Sequence, residues 1–113
     1  MNDQPIDSID KFEKALRDEQ TASYVLRLYI AGNTEKSVQA IIRLRGICET
    51  NLKGRYQLEI IDISQSPEMA MKEQIIATPT LIKSLPLPIR RIIGDLSKAE
   101  RILIGLDVLQ FKK

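Results

Sequence analysis

Apolar residues in this chain occur in short blocks whose spacing alternates between that of a strand and that of a helix. The block from Tyr24 to Ala31 is predicted to be a strand with two apolar sides, because Val25 and Tyr29 keep the second side partly apolar. The first side is lined by Tyr24, Leu26, Leu28 and Ile30. Such two-sided hydrophobicity is typical of a strand buried within a sheet.

A helix and a second strand follow this block. Gly32 ends the first strand, and Asn33 is predicted to cap a helix that reaches about Leu52. The predicted inward stripe of this helix consists of Val38, Ile41, Leu44, Cys48 and Leu52. The residues from Tyr56 to Ile63 form the next predicted strand. A strand, helix and strand of these lengths form a right-handed unit in which the strands are parallel.

The second half of the chain is divided by prolines. Ser66 and Pro67 predict the start of a short helix running to about Ile76, with Met69 and Ile76 facing inward. Next come a short strand at Leu81 and Ile82, a turn bracketed by Pro86 and Pro88, and a strand from Ile89 to Ile93. The resulting order with a final helix, βαβαββα, is that of the thioredoxin-like α/β fold, and Pro79 stands where that fold has a cis-proline.

The final apolar segment, 97–109, fits both helix and strand periodicity. Ser97 and Glu100 have capping-box spacing, and Ala99, Ile102, Leu106 and Leu109 share a helical face flanked by Leu103. The residues Ile102, Ile104, Leu106 and Val108 also alternate as they would in a strand. Gly105 within a helix costs about 1 kcal/mol relative to Ala. The simpler interpretation is a buried helix with a packing glycine.

The two ends differ from the segment between them. Residues 1–23 are polar but contain Ile6, Ile9, Phe12 and Leu16 at helical spacing, which is compatible with a short amphipathic helix or with a disordered leader. The segment 24–109 has the pattern of one globular domain, and 110–113 form a short basic tail.

Composition excludes several classes of protein. With 113 residues, 43% of them hydrophobic, the chain suits one domain. The net charge of +2 does not indicate nucleic-acid binding. There is neither a membrane-length apolar run nor a signal peptide, so we expect a cytoplasmic protein that does not insert into membranes. One cysteine and no histidine leave little material for a metal site.

No enzyme signature emerges from the sequence. Thioredoxin-like enzymes need a low-pKa cysteine at the start of the first helix, where this chain has Gly32-Asn33-Thr34-Glu35. Cys48 falls on the apolar face of the helix and is predicted to be a core residue. Asp62 and Asp95 each follow a strand and are interpreted as turn or cap residues. We therefore predict a protein without catalytic activity or cofactor.

The basic residues Lys83, Arg90 and Arg91 lie in the proline-bracketed block, close in sequence to Leu85, Leu87 and Ile89. This mixture of cations and apolar side chains suits a protein interface. A solvated surface is the alternative interpretation.

Four runs of sequence carry a resemblance to a known family. LRLYIAGNT (26–34), IIDI (60–63), IATPTLIKSLPLPIRRIIGDLS (76–97) and ILIGLDVL (102–109) resemble the KaiB family of clock proteins. The resemblance implies a non-catalytic protein that binds a KaiC-type ATPase and, in the full clock, KaiA. It also implies a metamorphic fold, with a βαββααβ ground state that is commonly a homotetramer and a βαβαββα thioredoxin-like state that binds KaiC.

Individual residues match positions of that family. Pro79, Pro86 and Pro88 match prolines of its switching segment, and Gly105 and Asp107 match residues of its last element, which is a strand in one state and a helix in the other. Lys83, Arg90 and Arg91 match basic positions that we expect to face the ATPase.

Departures from the family pattern indicate a divergent paralogue or a KaiB from a bacterium outside the main clock lineage. Gln110-Phe111-Lys112-Lys113 replaces the acidic tail, and Met71 and Lys72 stand near the place of an acidic pair. The resemblance implies a regulator that functions in a circadian clock or in a related timing or stress-response system. Two alternatives are a thiol oxidoreductase acting through Cys48 and a sensory module in a pathway with a KaiB-like-domain histidine kinase.

Overall fold

The computed structural model describes residues 23–94 and 96–108 and shows the predicted order of elements, βαβαββα. In chain order these are β1 (Tyr24–Ile30), α1 (Glu35–Asn51), β2 (Tyr56–Asp62), α2 (Pro67–Lys72), β3 (Thr80–Leu85), β4 (Arg90–Ile93) and α3 (Ala99–Gly105). None of the helices in these two ranges is long and apolar enough to cross a bilayer. The predictions for residues 1–22, Asp95 and 109–113 concern positions outside the described residues.

The four strands form one sheet in the order β2-β1-β3-β4. β1 and β2 are parallel, as the βαβ unit predicts, and the other two neighbouring pairs are antiparallel. The Thr78–Pro79 peptide bond before β3 is cis, as expected from the position of Pro79 in the fold. β1 therefore lies inside the sheet, which explains why both its sides are apolar.

Alternation along the strands separates two apolar layers. On one side, Leu26 and Leu28 of β1 and Leu81 of β3 pack in a cluster with residues of α1 and α3. On the other side, Tyr29 packs with Ile82 in a smaller cluster that also contains Met69 of α2. The sheet thus carries α1 and α3 on one face and α2 on the other.

The predicted start and stripe of α1 need correction. Thr34, not Asn33, is the N-cap, and its hydroxyl oxygen accepts a hydrogen bond from the Ser37 N–H at 3.1 Å. Val38 is 37% exposed, so its place in the predicted inward stripe is wrong. The buried residues of the helix are Ser37, Ala40, Leu44 and Cys48.

The ends of α2 and α3 also differ from expectation. α2 ends at Lys72, and Ile76 is 86% exposed, while its neighbour Ile75 packs in the smaller cluster. The predicted capping box from Ser97 is wrong, because the N-cap of α3 is Lys98 and it makes no side-chain cap bond. The helical interpretation of the segment is confirmed, with Ile102, Leu103 and Leu106 buried.

Gly105 is the last residue of α3 and packs closely on β4. A Cβ atom at this position would lie 2.7 Å from Cδ1 and 3.1 Å from Cγ1 of Ile92. The interpretation of Gly105 as a packing glycine is therefore confirmed. Its place at the helix end also means that an alanine gains less helix propensity there than in mid-helix.

We expect Gly105→Ala to stabilise α3 by less than the about 1 kcal/mol that mid-helix propensity predicts, because Ile92 must move. Ile92→Val removes Cδ1, the nearest atom, so the double variant should show a favourable coupling of about 1 kcal/mol in urea unfolding. Ile93→Val, on the opposite face of β4, is the matched control. An equal effect of Gly105→Ala in both valine backgrounds would contradict the expected contact.

Candidate partner-binding surface

Three charged residues, one each from β3, β4 and the turn after α3, meet beside the end of α3. Asp107 has a positive φ of 59°, and its Oδ2 lies 2.6 Å from Nε of Arg90 and 3.5 Å from Nζ of Lys83. Lys83 and Arg90 are register partners in the β3–β4 ladder, so their side chains project to the same face. We call these three residues the Asp107 cluster. Each of them is among the site residues predicted from the sequence, but their contact with one another is not predicted.

Lys83 differs most from expectation, because its side chain is completely buried. Burial lowers the pKa of its ammonium group, and the Asp107 carboxylate opposes this shift. Nζ has no hydrogen-bond partner among the described residues, so the carboxylate at 3.5 Å supplies the compensating charge. In this conformation Lys83 does not face solvent and cannot present its charge to a partner.

Arg90 and Arg91 are exposed, and each is also tied to the protein on a different face. Arg90 donates to Asp107 on the α3 side, and this contact is the main reason that the pKa of Asp107 lies below its usual value. Arg91 donates through Nη2 to the carbonyl of Glu73 at 2.8 Å and through Nη1 to that of Gln74 at 3.3 Å. These two carbonyls follow the last turn of α2, so Arg91 fastens β4 to that helix.

The turn between β3 and β4 carries exposed apolar side chains. Leu85, Leu87 and Ile89 are 49%, 71% and 65% exposed, respectively. The Leu85–Pro86 and Leu87–Pro88 peptide bonds are both cis. We call residues 85–89 the apolar hairpin tip. The residues predicted to switch are thus divided between this tip (Pro86, Pro88), the start of β3 (Pro79) and the end of α3 (Gly105, Asp107).

The start of α1, where thioredoxin-like enzymes hold their thiol, is occupied by a carboxylate contact. Asp62 Oδ1 accepts hydrogen bonds from the Gly32 N–H at 3.0 Å and from the Ser64 N–H at 2.9 Å and hydroxyl at 2.7 Å. The Ser64 hydroxyl is the largest cause that lowers the pKa of Asp62. Asp62 therefore has the predicted turn role, because it joins the end of β1 to the turn after β2.

Cys48 is fully buried in α1, and burial raises the pKa of its thiol to about 11. A thiol in this state is a poor nucleophile at neutral pH because the thiolate is the reactive form. Within ranges 23–94 and 96–108, no three acidic, cysteine or histidine side chains are grouped so as to hold a metal ion.

We expect Asp107→Asn to weaken the packing of α3, since it leaves the Lys83 ammonium buried without a carboxylate. Lys83→Met removes that charge at similar volume, so the loss caused by Asp107→Asn should be smaller in the Lys83→Met background. Amide hydrogen exchange of Ile102 to Leu106 in the four proteins measures this coupling. Equal losses in both backgrounds would show that the two charges are not coupled.

Acid should weaken the contact of Asp107 with Lys83 and Arg90. Because the pKa of Asp107 is lowered from 3.8 in the folded protein, its contribution is complete above pH 3.8 and is lost as the pH falls through the lower folded value. Exchange protection of α3 should therefore decrease in this range in the parent and less in the Lys83→Met/Asp107→Asn protein. A decrease of the same size in both would assign the acid effect to other groups.

Cys48 should react with iodoacetamide at pH 8 only after unfolding, because its thiol is buried and its pKa is about 11. Mass spectrometry with and without urea measures the modified fraction. A cysteine introduced at exposed Glu49 is the positive control for reagent access. Rapid labelling of Cys48 in the native protein would contradict its placement.

Sequence comparisons match most of this chain to known proteins. The KaiB family model, described as the KaiB domain, matches residues 27–108. The "Circadian clock oscillator protein KaiB" of Picosynechococcus sp. is 56% identical over 87 residues, which cover 77% of this chain and 84% of that protein. The protein of the same name from Synechococcus elongatus is 54% identical, with coverage of 77% and 85%.

Solved structures support the thioredoxin-like assignment. Chloroplastic thioredoxin z is similar with a TM-score of 0.63 at 19% identity, covering 87% of this chain and 86% of that one. The N-terminal domain of SasA from Synechococcus elongatus gives a TM-score of 0.61 at 20% identity, with coverage of 81% and 90%. At these identities the structures establish the fold alone, whereas the family model and the curated relatives establish the family. The chain belongs to the KaiB family.

Proposed function

We propose that this protein is a non-catalytic regulator that binds a KaiC-type ATPase through the thioredoxin-like arrangement, within a circadian clock or a related timing or stress-response system. The observation that carries the proposal is the family sequence pattern, present at about 55% identity, on a thioredoxin-like chain whose enzyme position lacks a cysteine. KaiA, a kinase pathway and a homotetrameric or dimeric ground state stay predictions of the family resemblance.

The apolar hairpin tip is the surface that we propose to bind the ATPase. It presents Leu87 and Ile89 beside the partly exposed Arg90, a mixture of apolar groups and arginine that is typical of interface centres. The Asp107 cluster supports this surface, because it fastens both strands of the hairpin to α3. We therefore propose that the buried Lys83 positions this surface from the protein interior.

We propose that Arg91 also supports the surface, by holding β4 in place. Its contacts with the carbonyls of Glu73 and Gln74 hold the other face of β4, and they leave its charge near the surface. Changes at Arg90 or Arg91 therefore disturb packing together with any partner contact. Substitutions of the apolar residues at the tip therefore test binding more directly, because apolar side chains make no ion pairs or hydrogen bonds of this kind.

Size-exclusion chromatography with light scattering should detect a complex with the cognate KaiC-type ATPase, with and without ATP. Leu87→Asp should weaken binding about tenfold or more, because burying an exposed leucine contributes about 1.5–3 kcal/mol. Met71→Asp, on α2, is the matched control, since residues 87 and 71 are 71% and 80% exposed.

Two results would contradict the proposal. The first is the absence of a complex although hydrogen exchange shows α3 protected as in this structure. The second is an equal loss of binding in the two aspartate variants, which would exclude the apolar hairpin tip as the specific contact.

A further inference from the structure

A groove lies along α1 on the face that does not pack on the sheet. It has a volume of about 350 Å3, and it is lined by the apolar or small residues Ile42, Gly46, Ile47, Thr50, Ser97 and Ala99 together with Arg43 and Asn51. Ile42 is 59% exposed, and Val38, one turn earlier, is 37% exposed. Val38 and Ile42 therefore keep apolar surface exposed on this side of the helix.

Gly46 is one of the residues that line this groove. A glycine in the interior of a 17-residue helix costs about 1 kcal/mol relative to alanine. Gly105 is explained by its contact with Ile92, but a Cβ at Gly46 would meet nothing within 4 Å. The described residues thus give no packing reason for Gly46, whereas a segment lying across the helix would use the space above it.

The chain itself supplies a segment of suitable pattern. Residues 1–22 contain Ile6, Ile9, Phe12 and Leu16, which share one face if this segment is helical. The relatives match 77% of this chain, and the matched family model begins at residue 27. The segment therefore lies outside the part that the family model describes.

The first described residues lie near the end of α1. The Tyr24 N–H donates to the Arg55 carbonyl at 2.7 Å, and the Arg55 N–H donates to the carbonyl of Leu52, the C-cap of α1. β1 thus begins beside the turn that follows α1, and the groove reaches Thr50 in the last turn of that helix. A helix of 15 residues is about 22 Å long, sufficient to run along α1 from Thr50 past Ile42.

The charges are complementary. Residues 1–22 contain six acidic and three basic residues, whereas 23–113 contain nine acidic and 14 basic ones. Arg43 borders the groove, and the exposed Lys98 and Arg101 lie at the start of α3 beside it. An acidic amphipathic segment is therefore favoured over a basic one.

We propose that residues 1–22 dock as an amphipathic helix into the groove formed by α1 and the start of α3 of the same molecule, with Ile9 and Phe12 over Gly46. Ser97 and Ala99 form one wall, so the docked segment stabilises the arrangement in which α3 packs beside α1. This inference does not depend on the proposed ATPase partner.

A nitroxide on Ser8→Cys in the full chain tests the contact by paramagnetic broadening of amide signals. Cys48 is buried, so the label should go to the introduced cysteine, which mass spectrometry checks. We expect the amides of Ile42, Gly46 and Ile47 to lose most of their intensity. The amide of Leu87 in the apolar hairpin tip should retain it.

Variants separate docking from accidental proximity. Phe12→Asp and Gly46→Leu should each restore the intensity at Ile42, the first by placing a charge in the apolar face and the second by placing a side chain in the groove. Lys11→Asp and Arg45→Leu are the matched controls on the same two elements, and broadening should persist in both.

A mixed sample identifies the molecule that supplies the segment. Isotope-labelled protein without nitroxide is combined with nitroxide-bearing protein without isotope, and the proposal expects no broadening. Broadening at Ile42 in this sample would assign the groove to a second copy and overturn the proposal. Absent or evenly distributed broadening in the singly labelled protein would overturn it as well.

Discussion

The Asp107 carboxylate is the contact on which the C-terminal half of the fold depends. It joins the end of α3 to Lys83 of β3 and Arg90 of β4. Since the Lys83 side chain is fully buried, a carboxylate must remain close, because an uncompensated charge in the interior is strongly destabilising. The end of α3 therefore cannot leave the sheet unless Lys83 also finds another environment. This couples the helix to the hairpin that it covers.

Adjacent arginines extend this coupling to both layers of the protein. Arg90 and Arg91 are neighbours in a strand, so their side chains project to opposite faces. Arg90 contacts the end of α3, and Arg91 contacts the carbonyls after α2. β4 is an edge strand of only four residues, and these contacts fix it from both sides. The apolar hairpin tip therefore projects from a strand held in one orientation.

Periodicity was sufficient to predict the order of the elements, the strand β1 with two apolar sides and the burial of Cys48. These features follow from local spacing, which the sequence contains directly. The burial of Lys83 could not be predicted, because a lone lysine in a strand is ordinarily at the surface and its compensating carboxylate lies 24 positions away. The predicted N-cap of α3 was also wrong. Ser97 and Glu100 have the spacing of a capping box, but the N-cap is Lys98 and α3 starts at Ala99.

In segment 97–109, which fits both helix and strand periodicity, the helix leaves the apolar side chain of Ile104 exposed. α3 buries Ile102, Leu103 and Leu106, whereas Ile104 is 76% exposed. A large apolar residue at that position contributes little to this helix. In a strand, Ile104 would lie on the same side as Ile102 and Leu106, and all three could be buried together. The metamorphic behaviour that the family resemblance implies requires such a second pattern. In the strand arrangement that the family resemblance predicts, Ile104 would be buried, whereas this helix leaves it exposed.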